Sequence, residues 1–536
     1  MKNGVQIDKV ESGIAFREKG QGFMFCKVYS ALCLGIEGCI VRVEADMSNG
    51  LPAFQIVGEL SSEVRESGAR ICTAMRNSGF SLPPKRYLIN LAPADFRKSG
   101  TGFDLPVAVA LLCCIEHVSP EFLENSIFIG ELGLNGTLVP VKGILSMVSQ
   151  AVKEGFSNCF VSVENAEEAA IVSEMRVFGA KTFSEVIDHL QGKRKLSQIL
   201  VPTSEKNEKE RKYPMDFGDI RGQETAKRCM QICVAGHHHL LVIGPPGSGK
   251  TMMAERLPYI LPEMAFEEQM MVTKIHSAAG QLKPGSGLMT CRPFRRPHHS
   301  LSDKALIGGG ATPTPGEISL AHGGILFLDE FAEFSRSAVE SLRQPLESGE
   351  VFVHRVRGDF CFPAKPLVVA AMNPCPCGYY PDRKRCRCTS SQIQKYMAKI
   401  SGPVLERLDL CVYIRRVDYR HMTDEGSGMD SRQMQVKIER AGQIQKERFS
   451  GENIRYNSEM EGQMLEKYCG LDKETQRFLE KAYEKFHLSA RTYQKILKVA
   501  RTISDMEGSP KIQMEHVAEA VGYRLPDETY GGGLWG

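Results

Sequence analysis

The chain has 536 residues, enough for about three to four domains. Its 42% apolar content can fill several cores and its 24% charged content is ordinary, which excludes disorder over most of its length. Basic and acidic residues number 67 and 64, a net charge of +3, so a polyanion partner has to be read from local patches.

Residues 1–23 are polar and lack the apolar stretch of a signal peptide. They are expected to be a disordered extension, or to precede a true translation start at Met24. Residues 24–190 alternate strand-like and helix-like segments: CIVRVEADM as a strand, ESGARICTAMRNSG as a helix with a Gly C-cap, and YLINLAP as a second strand. A Gly-rich turn and the apolar helix DLPVAVALLCCIE follow, and Asn135-Gly136 marks a hairpin. The expectation is an independent α+β domain. Residues 191–213 have the charged composition of a linker. In residues 214–420 the runs LLVIG, ILFLDE, LVVAAMN and LCVYI have the unbroken hydrophobicity of parallel strands buried on both faces. Residues 421–525 read as charged, periodic helices, and 526–536 as a flexible tail. No apolar run approaches the roughly 20 residues that span a bilayer. The 17 cysteines are not spaced like a secreted disulfide scaffold, and pairs such as Cys113-Cys114 sit in apolar runs. These features predict a reduced, cytoplasmic protein with no membrane partner.

The chemistry concentrates in the parallel-strand region. Gly244-Pro245-Pro246-Gly247-Ser248-Gly249-Lys250-Thr251 matches GxxxxGK[ST] in full, after an apolar strand and before a helix that Pro258 is expected to stop. Glycines let backbone N–H groups wrap phosphates, Lys250 can neutralise the β and γ phosphates of ATP, and the Thr251 hydroxyl can ligate Mg²⁺. ILFLDE ends in Asp329, suited to holding Mg²⁺ through its waters, and Glu330, suited to polarising the attacking water. LVVAAMN ends in Asn373, whose amide can orient that water without adding charge. Read alone, an acidic pair after a strand or an Asn before Pro is an ordinary turn; the upstream P-loop makes both functional. Cys375, Cys377, Cys386 and Cys388 form C-x-C-x8-C-x-C among four basic residues, a set that can hold a structural Zn²⁺, although C-x2-C is the commoner spacing. The histidines at 237–239 enter a strand and are read as core and surface groups rather than metal ligands.

These motifs, in this order, resemble AAA+ ATPases, and within them the magnesium-chelatase-like YifB/ComM family. The resemblance runs from Met24 to about residue 525 and is carried by NGLPAFQIVG, NLAPADFRKSGTGFDLPVA, GPPGSGKT, RPFRRPHHS, ILFLDE, AAMNPCPCGYY and SGPVLERLDL. It implies an α/β fold: an AAA+ P-loop core with a helical lid, preceded by an α+β Lon-protease-like domain. It implies a hexameric ATPase, with ComM-type members looking like DNA helicases that drive branch migration, on single-stranded or branched DNA. It makes Arg407 an arginine finger that reaches the neighbouring subunit's γ-phosphate, and Arg491 a sensor arginine on a lid helix. Residues 346–366 read as a hairpin turning at Arg357-Gly358-Asp359, which the resemblance makes a pore-lining insertion as in MCM helicases. Arg355 and Arg357 near its tip can grip a phosphodiester backbone, or simply solubilise an exposed hairpin. The arginines and histidines of RPFRRPHHS can meet DNA or a neighbouring subunit, or brace an insertion held by its prolines.

Residues 90–160 resemble the Lon-protease fold, where a Ser nucleophile is activated by a Lys. Aligned to that pattern, Gly102 stands at the Ser position and Leu145 at the Lys position, with Ser99 and Lys142 displaced, so no peptidase activity is expected. Three functions use the same motor chemistry: a DNA motor, a chelatase-like or protein-remodelling ATPase, and an ATP-dependent protease. Gly102 and Leu145 weigh against the third, and the basic hairpin favours the first.

Overall fold

A computed structural model describes residues 15–17, 24–119, 123, 125–200, 214–283, 285–310, 313–355, 358–416 and 429–524. The chain divides into two compact units. One comprises Met1–Glu205, Gln269–Met289 and Phe352–Cys361; the other comprises Lys206–Glu268, Thr290–Val351 and Phe362–Gly536.

The first unit is organised by long alternating strands. In Glu37–Ser48, Val41, Val43, Ala45 and Met47 are buried while the residues between them are more exposed, which commits one face of the strand to the core. Eleven strands are described here: β1 (Ala15–Arg17), β2 (Met24–Leu34), β3 (Glu37–Ser48), β4 (Ala53–Val57), β5 (Arg86–Ala92), β6 (Ser126–Phe128), β7 (Glu131–Leu132), β8 (Leu138–Val139), β9 (Asn158–Ser162), β10 (Arg176–Ala180) and β11 (Gln198–Ile199). Among the described residues, nine of them form one sheet in the order β11-β10-β9-β6-β2-β3-β5-β4, with β1 paired to β2. The hairpin at Asn135-Gly136 joins β7 to β8, with Gly136 at φ +82°. The helix Asp104–Cys114 is buried on every side, which is why its sequence carries no polar face.

Two segments carry structure that their composition hid. Ala15–Arg17 of the expected extension pairs antiparallel with the start of β2, and Gln198–Ile199 of the expected linker adds an edge strand to β10. The rest of 1–23, residues 201–213 and the tail from 525 lie outside the described residues.

The second unit holds a parallel sheet of β12 (Leu240–Ile243), β13 (Phe294–Arg295), β16 (Ile325–Leu328), β19 (Leu367–Met372) and β20 (Leu410–Tyr413), in the order β13-β16-β19-β12-β20. Two short strands, β14 (Gly308–Gly309) and β15 (Thr314–Pro315), pair beside it in sequence. Every residue of β12, β16 and β19 is buried, as their unbroken apolar runs require. Val242, Phe327 and Val369 of the sheet share one core with Met434, Ile438, Ile496, Ile503 and Val517 of the carboxy-terminal helices. Those helices are stitched by a buried network in which Asp505 accepts from Arg448, Arg501 and Asn457.

The helix after the P-loop is shorter than expected. It spans Lys250–Ala254, and Pro258 sits inside a following 3-10 turn, Leu257–Tyr259, where its missing N–H does no harm. The hairpin strands are β17 (Glu350–Arg355) and β18 (Gly358–Pro363). Gly358 and Asp359 thus belong to a strand rather than to the turn, and Arg357 lies outside the described residues. Among the described residues no helix is long and apolar enough to cross a membrane.

Candidate nucleotide site

Strand order puts the sequence motifs together. β19 lies between β12 and β16, so three neighbouring parallel strands deliver the P-loop, Asn373 and Asp329-Glu330 to the same carboxyl edge. That edge is where ligands bind in open α/β sheets. Gly244, Pro245, Pro246, Gly247, Ser248 and Gly249 make the turn between β12 and the helix. Gly249, at φ +93°, occupies a left-handed conformation that a side chain would strain, immediately before Lys250 opens the helix.

Lys250 Nζ donates to the carbonyl oxygens of Gly244 at 2.7 Å and Pro245 at 3.0 Å, and to Asn373 Oδ1 at 3.2 Å. Burial lowers its pKa, and the charges of Asp329 and Glu330 oppose that shift. Thr251 Oγ1 donates to Asp329 Oδ2 at 3.0 Å. Ser248 Oγ is buried without a hydrogen-bond partner among the described residues, a polar group suited to a phosphate oxygen. Glu330 has φ +53° and ψ 43°, an uncommon backbone conformation for a residue with a side chain, and strain of this kind clusters at functional sites.

The basic segment after β13 is not an open patch. β13 pairs with β16, so the residues that follow it emerge beside Asp329 and Glu330. Arg296 reaches Asp329 Oδ2 at 2.7 Å and Glu255 Oε1 at 3.0 Å. His299 Nδ1 lies 3.1 Å from Glu330 Oε2. Arg295 makes a bidentate pair with Glu317, and Arg292 donates to the Pro262 carbonyl and pairs with Glu268. Arg296, Pro297, His298, His299, Asp329 and Glu330 line a cleft of about 340 Å³. The sequence marked this segment only as basic. Its place beside the acidic strand depends on a two-residue strand that no periodicity reveals.

Arg407 and Arg491 are engaged within their own chain. Arg407 donates to the carbonyls of Arg343 at 3.1 Å and Pro403 at 2.6 Å and pairs with Glu347; Arg491 pairs with Glu406 at 3.1 Å. Arg355 is exposed at the end of β17.

The four cysteines converge. The sulfurs of Cys375, Cys377, Cys386 and Cys388 all lie within 4.8 Å of one another. Cys375 and Cys377 are 3.4 Å apart, Cys377 and Cys386 3.6 Å, and Cys375 and Cys386 3.8 Å. Four sulfurs each about 2.3 Å from a tetrahedral zinc would be about 3.8 Å apart, so the donor set fits that ion in both size and softness. The loop they shape touches the P-loop. A Cβ on Gly378, at φ +81°, would fall 2.5 Å from Pro246 Cδ and 3.7 Å from Asn373 Cγ.

Of the histidines at 237–239, His238 is buried and His237 and His239 are half-buried, each engaged by its neighbours. His237 stacks on Tyr456, His238 shares a hydrogen bond with Thr502 at 2.8 Å, and the Val368 N–H donates to His239 Nδ1. Burial pulls His237 down to about 3 and His239 to about 4.

In the first unit, the two residues aligned to the Lon dyad, Gly102 and Leu145, carry no nucleophile and no amine, and the Leu145 N–H donates to Glu168 Oε1 at 3.0 Å. A Cβ on Gly102 would face Val141 Cγ1 at 3.4 Å and Ile129 Cγ2 at 3.8 Å. Leu145 is fully buried. Asp104, two residues after Gly102, is locked by a bidentate pair with Arg70 and by the Leu132 N–H.

The parallel sheet with its P-loop, acidic strand and helical lid defines an AAA+ core, preceded here by an α+β Lon-protease-like domain. The chain belongs to the magnesium-chelatase-like family that includes ComM and YifB. Family profiles described as magnesium chelatase subunit ChlI match residues 216–422 and 43–165, and the ChlI carboxy-terminal profile matches 428–524. Competence protein ComM of Haemophilus influenzae is 40% identical over 500 residues, covering 93% of this chain and 97% of that protein. YifB of Salmonella typhimurium is 40% identical over 506 residues with the same coverage. Lon protease 2 of Bacillus subtilis is 29% identical over 154 residues, 27% of this chain. Family membership supports an ATPase role.

Proposed function

We propose that this protein is a ring-forming, hexameric ATPase that moves DNA strands, as a helicase or branch-migration enzyme of recombination or transformation. The observation that carries the ATPase part is the convergence of Lys250, Thr251, Asp329, Glu330 and Asn373 on one sheet edge. In this reading Gly244, Pro245, Pro246, Gly247, Ser248 and Gly249 wrap the phosphates, and Lys250 exchanges its carbonyl contacts for phosphate oxygens. Thr251 and Asp329 offer the hard oxygen donors that would hold Mg²⁺, which when bound neutralises charge between the β and γ phosphates. Glu330 takes the proton of the attacking water, and Asn373 orients that water. Arg407 leaves Glu347 to reach a neighbouring subunit's nucleotide, and Arg491 senses the nucleotide from the lid. Cys375, Cys377, Cys386 and Cys388 would hold a structural zinc, which would stiffen the loop that packs against Pro246. The Lon-like domain serves as a scaffold without peptidase activity, because neither Gly102 nor Leu145 supplies a dyad group.

The DNA part is supported by the name of the competence relative and by Arg355, exposed at the end of a hairpin strand. ATP turnover with and without single-stranded or four-way-junction DNA tests it. Stimulation of turnover by DNA is expected; equal turnover with and without DNA contradicts it. The family description as a chelatase subunit favours a second reading, a remodelling ATPase acting on a protein client, and DNA-independent turnover would favour that one.

A further inference from the structure

The two groups read as the Mg²⁺ seat already share one carboxylate oxygen with Arg296. Asp329 Oδ2 accepts from Thr251 Oγ1 at 3.0 Å and from Arg296 Nη2 at 2.7 Å. With Oδ2 already accepting two hydrogen bonds, a guanidinium there and a hydrated divalent cation at the same carboxylate repel each other and compete for it. Arg296 is held so that it stays local. Its Nη1 lies 3.0 Å from Glu255 Oε1, and Glu255 is one helical turn beyond Thr251, bonded to the Thr251 carbonyl. On either side, Arg295 is clamped by Glu317 and Pro297 restricts the backbone. The guanidinium carbon lies 5.6 Å from the Phe327 ring, a face that favours a cation. If released from Asp329, Arg296 is therefore still tethered by Glu255 at the mouth of the phosphate loop.

We propose that Arg296 is a built-in counter-cation that competes with the divalent metal for Asp329 and so sets the metal concentration at which the site loads. It passes its charge to the nucleotide's phosphates when the metal takes the carboxylate. This rests on reading Lys250, Thr251 and Asp329 as a metal–nucleotide site, and it adds a positioning residue to that site. Metal-free nucleotide binding and metal uptake should then respond oppositely to removal of the guanidinium. Glu255 should act with the reverse sign, because loss of the tether leaves Arg296 to Asp329 alone.

The test uses the full chain with a non-hydrolysable ATP analogue and Mn²⁺, following free Mn²⁺ by electron paramagnetic resonance. Arg296→Gln is expected to take up Mn²⁺ at about threefold lower concentration than wild type, the scale of a part-exposed ion pair. Arg296→Lys should restore most of the wild-type requirement, and Glu255→Gln should raise it. In EDTA, Arg296→Gln should bind a fluorescent ATP analogue more weakly than wild type. A merely structural role for the ion pair would move Arg296→Gln and Glu255→Gln in the same direction. Superimposable Mn²⁺ isotherms, or shifts of the same sign in both variants, would overturn the proposal. Wild-type protein that binds neither analogue nor Mn²⁺ would instead overturn the nucleotide reading on which it stands.

Discussion

The carboxyl edge of the parallel sheet and the Gly102–Leu145 niche of the Lon-like unit differ in what their residues can do. At the first, four of the polar groups that the motifs supply are held by others, Lys250 by Asn373, Thr251 by Asp329, Asp329 by Arg296 and Glu330 by His299, while Ser248 Oγ is buried without a partner among the described residues. At the second, the positions for nucleophile and base hold Gly102 and Leu145, and the space beside Gly102 faces Val141 and Ile129. The surrounding scaffold is nevertheless intact, with Asp104 still paired to Arg70 at the start of its helix. Function has to be argued from the groups at the site and not from the scaffold.

That contrast can be broken most severely at the sheet edge. Arg407→Ala should bind ATP normally yet lose about three orders of magnitude or more in turnover, and small additions of it should poison wild-type rings. Pure Arg407→Ala turning over at the wild-type rate would remove it from the reaction. In the niche, Leu145→Lys should destabilise the protein by about 3 kcal/mol, because it puts an ammonium where Leu145 is fully buried and the adjacent Glu168 carboxylate is already engaged by the Leu145 N–H and Ser277. Urea unfolding measures this, and Gly102→Ser added to the same chain should bring no peptide hydrolysis. An unchanged midpoint would mean the niche is wetter and more polar than its lining implies.

Smaller effects sharpen the comparison. The purified chain should carry about one zinc, and Cys375→Ser should abolish most of it. The same variant should weaken nucleotide binding, since the loop carrying Gly378 lies directly against Pro246. Metal analysis and analogue titration check both, and full zinc in Cys375→Ser would rule the cluster out. Arg355→Ala should weaken DNA binding evenly across sequences and reduce the salt slope by about one unit. Unchanged affinity and slope would take Arg355 away from the DNA.

Much of the nucleotide site was legible because each of its parts is local. Apolar runs too uniform for a half-exposed strand marked β12, β16 and β19, and the residues closing each run were the chemical ones. The roles of Arg296 and His299 were not legible. They depend on β13 lying beside β16, and β13 is two residues long. Gly378 gave no signal either, since its close approach to Pro246 joins loops over a hundred residues apart in sequence. The cysteine spacing allowed a metal, and what it could not show is that the four sulfurs come within 4.8 Å of one another, a set compatible with zinc. In the Lon-like unit β3, β5 and the Asn135-Gly136 hairpin were readable, while β4, β9 and β10 were not singled out and β1 and β11 were hidden inside polar, linker-like sequence.

The central claim is that ATP hydrolysis at this sheet edge drives movement of DNA strands. Its most direct test is displacement of a labelled strand from a forked or four-way DNA junction in the presence of ATP, comparing wild type with Glu330→Gln. The account predicts displacement by wild type and none by Glu330→Gln, which should still bind nucleotide. Wild-type protein that hydrolyses ATP but displaces no strand, with a rate that DNA does not change, would contradict it.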